Sequence, residues 1–149
     1  MPALGDAHAD YLLEQFTPGD VYHVDAILFD REPTFAVVCP YGTPPMAVAH
    51  EGGIFVTQTL PEDDRAVAPL RERCGRVLNS FGLRRGVSHT EFIHGGDGEW
   101  YFLETSARVG GAYIVEMIDA ATGVNLWREW ARVEMTAEAG TYHLPEVRA

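Results

Sequence analysis

The sequence predicts an α+β fold, an antiparallel sheet with helices packed on one face. Three observations carry this prediction. Strand-like alternation comes in pairs joined by turn residues, at 21–39 and at 88–111. Helical spacing occupies separate stretches, at 61–81 and 112–137. No regular strand–helix–strand alternation links them, which argues against a parallel sheet.

The elements follow in order. Residues 3–17 read as a short helix or strand approach that ends at the turn signal Thr17-Pro18-Gly19-Asp20. Residues 21–29 alternate as a strand, Asp30-Arg31-Glu32-Pro33 turns the chain, and 34–39 form the returning strand. A loop over 40–45 is stiffened by Pro40, Pro44 and Pro45, and His50-Glu51-Gly52-Gly53 leads into a further strand-like stretch at 54–60. A helix is predicted over 61–81. Glu62, Asp63 and Asp64 sit in its first turn, where the helix dipole favours negative charge. Val67, Leu70, Cys74, Val77, Leu78 and Phe81 keep helical spacing, and Gly82 is a stop. Two more helices, 112–121 and 124–137, are separated by Thr122-Gly123, and an irregular tail follows Gly140. Trp127 and Trp130, at helical spacing, are expected in the core.

The second strand pair carries the chemistry. Ser88-His89-Thr90-Glu91-Phe92-Ile93-His94 and the stretch from Trp100 to Gly111 flank Gly95-Gly96-Asp97-Gly98, a strong hairpin signal. Alternation puts His89, Glu91 and Ile93 on one face, and Phe102, Glu104 and Ser106 together on one face of the partner strand. A register that brings Glu91 and Glu104 to the same side makes two carboxylates converge, with Ser106 and Arg108 close by. Such a group of oxygens suits a hard divalent cation and the phosphates it carries. The same residues also suit a solvated sheet face, and Arg108 a surface ion pair. His89 and His94 read as structural or substrate-facing, because magnesium prefers oxygen.

Composition narrows the function. The chain has 149 residues and a formal net charge of −11, and all eleven basic residues are arginine. An acidic chain with no basic patch is a poor ligand for nucleic acid. Without lysine there is no Schiff base and no lysine to hold a phosphate, so anions need arginine, backbone N–H groups or metal ions. No apolar run nears the roughly 20 residues that span a bilayer, and residues 1–10 carry no leader pattern. The expectation is a cytoplasmic protein with no membrane partner. Cys39 and Cys74 read as reduced, partly buried thiols.

Several pieces in order resemble a known family. They are Leu13-Glu14-Gln15-Phe16 with Gly19, Tyr22-His23-Val24-Asp25, His50-Glu51-Gly52-Gly53-Ile54-Phe55, and His89-Thr90-Glu91-Phe92. Phe102-Leu103-Glu104-Thr105-Ser106-Ala107-Arg108-Val109-Gly110-Gly111 and Gly123-Val124-Asn125-Leu126-Trp127 follow. Residues 10–137 resemble the C-terminal part of an ATP-grasp domain, in the branch of carboxylate–amine ligases that includes L-amino-acid ligases and dipeptide synthetases. The resemblance divides the chain into a hinge-like lead-in at 1–19, a C-terminal ATP-grasp subdomain at 20–140 and a tail at 141–149.

The resemblance implies roles. Glu91 and Glu104 match the acidic ligands of Mg²⁺ (or Mn²⁺), and Ser106 stands where the family usually has asparagine. Arg108 matches the arginine that contacts phosphate or the reacting carboxylate. Gly110 and Gly111 match a loop where substrate nears the backbone, and His50 and Glu51 belong to the substrate side. Glu14, Gln15 and Phe16 match the hinge that reads adenine, with His23 and Asp25 near ribose and phosphates. The implied reaction is ATP-dependent joining of a small carboxylate to an amine through an acyl phosphate.

The match begins at the hinge, so the expectation is a fragment lacking the family's N-terminal domain and lysine-bearing lid. Such a fragment would be inactive alone and would self-associate or take a lid from a partner chain. The alternative is a non-catalytic ATP-grasp-like module that binds a partner. A metal-dependent hydrolase using the same carboxylates is a third reading.

Overall fold

The computed structural model describes residues 12–136 and 140–148. Its strands are β1 (Gly19–Phe29), β2 (Glu32–Pro40), β3 (Gly86–Gly95) and β4 (Trp100–Ser106). Its helices are α1 (Pro45–Glu51), α2 (Val67–Ser80), α3 (Ile114–Thr122) and α4 (Leu126–Thr136). The lead-in expected over 3–17 falls outside the described residues up to position 11, and 12–18 run without regular structure. No helix among the described residues is long and apolar enough to cross a membrane.

The strands form one antiparallel sheet in the order β2-β1-β3-β4, two hairpins joined through their first strands. Asp30 and Arg31 close the first hairpin with φ of 51° and 72°. A two-residue turn in that left-handed region matches the natural twist of paired strands. The α+β class and the antiparallel sheet agree with the sequence reading. The helices, however, cover both faces. Val24, Ala26, Leu28, Val38 and Phe92 pack under α2, while Ile27, Val37, Cys39 and Val87 pack under α3 and α4. From Ala26 to Leu28, β1 is apolar at successive positions, so both of its sides need cover.

Helix α2 starts at Val67 and not at 61. Asp64 explains the delay: its Oδ1 accepts from the Ala66 N–H at 2.8 Å and its carbonyl from the Val67 N–H at 3.0 Å. That side chain holds the preceding residues in a turn. The helix α1 occupies part of what reads as loop, with Pro45 in its first turn. The strand expected at 54–60 does not form. Its residues touch the outer edge of β2 at separate points, Val56 O to Gly42 N and Leu60 N to Val38 O, with one bridge between Tyr41 and Thr57. Pro40 has no N–H to continue a ladder there.

Gly123, at φ 77°, ends α3, and Asn125 starts α4 by accepting the Arg128 N–H at 3.1 Å. The buried face of α4 is Leu126, Glu129 and Val133. Trp127 lies off that face and is exposed, which corrects its assignment to the core; Trp130 is half-buried against it. Glu129 is fully buried and accepts from Arg132 at 2.9 Å and from the Tyr142 hydroxyl at 2.8 Å, which ties the irregular tail to the helix. Cys39 and Cys74 are free and buried.

Candidate functional site

Strand register builds the site. On the face shared with α3 and α4, two rows of side chains cross the sheet. One row is Cys39, His23, Glu91, Glu104; the next is Val37, Asp25, His89, Ser106. Glu91 and Glu104 are direct cross-strand partners, so their side chains rise from the same face with Cβ atoms about 5 Å apart. Exposure grows along both rows. His23 and Asp25 are fully buried, His89 and Glu91 nearly so, Ser106 is half-buried, and Glu104 is open to solvent.

One expectation about this face needs correcting. The β3–β4 register slips by one residue between Glu91 and Phe92, so Phe92 pairs with Phe102 and Leu103 is the extra residue. Phe102 therefore joins the α2 side, its ring 6.2 Å from Phe92 and 6.3 Å from Phe81. It does not share a face with Glu104 and Ser106, as strict alternation predicts. His94 also stands apart from the carboxylates, its ring 4.4 Å from Trp100.

The buried part is a continuous hydrogen-bond network. His23 Nδ1 lies 2.6 Å from Asp25 Oδ2, and His89 Nδ1 lies 2.9 Å from Asp25 Oδ1. His23 Nε2 is 2.8 Å from the Thr57 hydroxyl, which donates to the Pro40 carbonyl at 2.9 Å. The Tyr41 hydroxyl donates to Glu91 Oε1 at 2.7 Å and lies 3.3 Å from His89 Nε2. Burial opposes the charge on Asp25, yet the hydrogen bonds from His23 and His89 hold its pKa below the usual range. Burial likewise opposes charge on Glu91, and His89 and Tyr41 outweigh it, so Glu91 stays below its usual range. For His89, burial is again outweighed, here by Asp25 and Glu91, and its pKa rises to about 9.

Tyr41 and Thr57 are not evident from the sequence. Tyr41 lies just past a proline at the end of a strand, and Thr57 sits in a stretch that meets it through one isolated bridge. Nothing in their spacing points to β1 or β3.

The remaining candidates are spread around this centre. Glu14, Gln15 and Phe16 line a groove together with residues of the β3–β4 hairpin, Leu103 among them. Glu14 and Glu104 line a neighbouring groove together. Arg108 is exposed and donates to the adjacent Val109 carbonyl at 2.8 Å. Gly110 is buried against Asp25: a Cβ there would come within 3.0 Å of Oδ1 and 2.8 Å of Ile114 Cγ2. Gly111 is open, and Ala112 and Tyr113 follow it with φ of 49° and 65°. Two successive left-handed residues without glycine store backbone strain beside the site. His50 and Glu51 are exposed at the end of α1, and among the described residues no side-chain hydrogen bond or ion pair joins them to the polar rows.

The donor set of Glu91, Glu104 and Ser106 is all oxygen, which fits Mg²⁺ or Mn²⁺. Among the described residues no partner engages Oε2 of Glu91 or the Glu104 carboxylate, while Tyr41 fixes Oε1 of Glu91.

No family model matches the chain, and no curated protein sequence matches it either. Solved structures do. An L-amino acid ligase from Bacillus licheniformis superposes with a TM-score of 0.63 at 19% identity, over 87% of this chain and 34% of its own. A phosphoribosylglycinamide synthetase from Anaerococcus prevotii gives a TM-score of 0.63 at 16% identity, over 82% and 30%. An ATP-grasp ligase in complex with a minimal precursor gives 0.52 at 16%, over 87% and 37%. This chain thus spans about a third of the length of each of these three structures. Its fold is that of part of an ATP-grasp domain.

Proposed function

We propose that this chain supplies the metal- and phosphate-binding part of an ATP-dependent carboxylate–amine ligase. The observation that carries the reading is the register pairing of Glu91 with Glu104 on one face of the β3–β4 hairpin. The likeness in fold to ligases supports it.

In this reading Glu91, Glu104 and Ser106 hold Mg²⁺ or Mn²⁺. When bound, such an ion neutralises nucleotide phosphate charge and orients the oxygens that react. Tyr41 keeps one oxygen of Glu91 occupied, so that the other faces outward. Glu14, Gln15 and Phe16 form the base side of the nucleotide site, along the groove that reaches Leu103. His23 and Asp25, being buried, act behind the phosphates and not on them. Arg108 swings from the Val109 carbonyl to the phosphoryl group or the reacting carboxylate, where its planar fork suits either anion. Gly110 and Gly111, with His50 and Glu51 from α1, border the acceptor side. A small carboxylate takes the γ-phosphoryl of ATP, and an amine displaces phosphate from the acyl phosphate.

The absence of any lysine in the 149 residues favours completion by a second element that supplies the lid, either further chain or a partner. A non-catalytic module that uses this fold to bind a partner chain is the second reading, favoured by the same observation. The third, a metal-dependent hydrolase, is the least favoured: the histidine beside the glutamate pair, His89, is 3.4 Å from Glu91 Oε1 but is already engaged by Asp25 and Tyr41.

Titration calorimetry with Mg-ATP, on the wild type and on Glu104→Ala, tests the first reading. The expected result is one nucleotide per chain in the wild type and at least tenfold weaker binding in the variant, in line with loss of a metal ligand. Equal binding by the two proteins refutes the metal role, and no heat with the wild type refutes nucleotide binding by this chain.

A further inference from the structure

A count of hydrogens in the buried network leads to a second, different site. The Thr57 hydroxyl spends its one proton on the Pro40 carbonyl, so it offers only lone pairs to His23 Nε2 at 2.8 Å. The Tyr41 hydroxyl spends its proton on Glu91 Oε1, so it too offers only a lone pair to His89 Nε2 at 3.3 Å. Glu91 Oε1, the other oxygen near His89 Nε2 at 3.4 Å, is also an acceptor. With the hydroxyl protons so placed, both Nε2 atoms take the donor role. A neutral imidazole has one N–H, which leaves the Nδ1 lone pairs of both rings aimed at the Asp25 carboxylate.

Those lone pairs approach Asp25 to 2.6 and 2.9 Å, deep in the fold, where His23 and Asp25 are fully buried and His89 is 5% exposed. Lone pairs facing a carboxylate at these distances repel unless positive charge lies between them. Two protons supply it, one on each ring. One divalent cation supplies the same charge from a single point. The three ligand atoms already lie within 4.8 Å of one another. A tetrahedral ion with bonds near 2.0 Å needs its ligands about 3.3 Å apart, so the two imidazole–carboxylate separations of 2.6 and 2.9 Å must open by well under an ångström to admit it.

We infer that His23, Asp25 and His89 form a binding site for a first-row transition metal of the Zn²⁺ or Co²⁺ class. Two imidazole nitrogens and one carboxylate oxygen select such ions over Mg²⁺. The outer contacts are those a metal site requires: each ligating histidine presents its other nitrogen to a fixed oxygen, Thr57 for one and Tyr41 for the other. Tyr41 also bonds Glu91, so this centre and the glutamate pair share one hydroxyl. The two sites are distinguished by ligand chemistry; both span the two rows of the same sheet face, one nearer β1 and the other nearer β4.

The test is a titration of chelator-treated full chain with Co²⁺, followed by visible ligand-field absorption. One Co²⁺ per chain is expected, displaced by one equivalent of Zn²⁺ and unmoved by excess Mg²⁺. Affinity should fall at least a hundredfold in His89→Gln and stay within threefold in Glu104→Gln. Loss of the spectrum in Glu104→Gln with retention in His89→Gln would move the ion to the glutamate pair and overturn the inference. Absence of a one-to-one Co²⁺ spectrum overturns it as well. Since His89→Gln can fail to fold, proton NMR of the Co²⁺-loaded wild type gives an independent reading. Two solvent-protected, strongly shifted imidazole N–H signals, from the Nε2 atoms held by Thr57 and Tyr41, are expected; rapidly exchanging ones point to surface histidines and refute the site.

Discussion

The two ends of the polar rows differ in nearly everything except the face they share. At β1, His23 and Asp25 are fully buried and their polar atoms are matched by fixed partners. At β4, Glu104 is exposed, no partner engages it among the described residues, and Arg108 bonds only a neighbouring carbonyl. The inner end is settled by folding, and the outer end is left with unspent bonding capacity. Substitutions at the inner end should therefore act on stability as well as on metal binding, and those at the outer end on ligands alone.

Asp25→Ala is the harshest way to test that contrast. It leaves two buried imidazoles facing a cavity, and loss of one partner of a buried charged set costs about 3–5 kcal/mol. Urea unfolding of the metal-free protein should show that loss; a change below about 1 kcal/mol, within the range of surface substitutions, would remove the distinction between the ends.

A pH titration probes the same end. The folded pKa of His89 is about 9, above its ordinary value of 6.5. A group raised on folding stabilises fully below its unfolded pKa and loses that contribution as pH rises through the folded value. Stability in chelator should thus fall between about pH 6.5 and pH 9, by up to about 3 kcal/mol from this group. Chemical denaturation at pH 6 and pH 9.5 reads it, and His89→Gln should flatten the slope.

Gly110→Ala sharpens the boundary between the ends. The added methyl meets Ile114 at 2.8 Å and Asp25 at 3.0 Å, so the loop after Arg108 must shift. Overpacking of this kind costs about 1–3 kcal/mol, readable by thermal melting. The smallest effect on stability belongs to Glu104→Gln, within about 0.5 kcal/mol, as for exposed sites generally. A large destabilisation there would mean the outer carboxylate is structural after all.

The sequence carried the class, the four strands and the turn chemistry because these depend on local patterns: alternation, Gly95 to Gly98, and Gly123 after a helix. It also brought Glu91 and Glu104 to one side, since each hairpin is closed by its own turn. What it could not carry was set by distant partners. Nothing local announces that β1 lies between β2 and β3, and that placement is what brings His23 and Asp25 to His89 and Tyr41 to Glu91. Helices on both faces were hidden for the same reason, because burial of both sides of a strand shows only as a short apolar run. Asp64 delayed α2 through a side-chain bond that competes with the first helical turn, and Trp127 missed the core by one position around α4.

Leu103 has one more effect, on the rim of the sheet. β4 is outermost among the described strands, so its backbone groups on one side have no strand there to bond. A straight strand in that position is an invitation for another extended polypeptide to zip alongside it. The extra residue kinks the strand and breaks the even spacing of those groups, so a visitor can pair over only a few residues before falling out of step. Protection against stacking of one copy on the next then rests partly on a leucine that neither the core nor the carboxylate pair would have brought to notice.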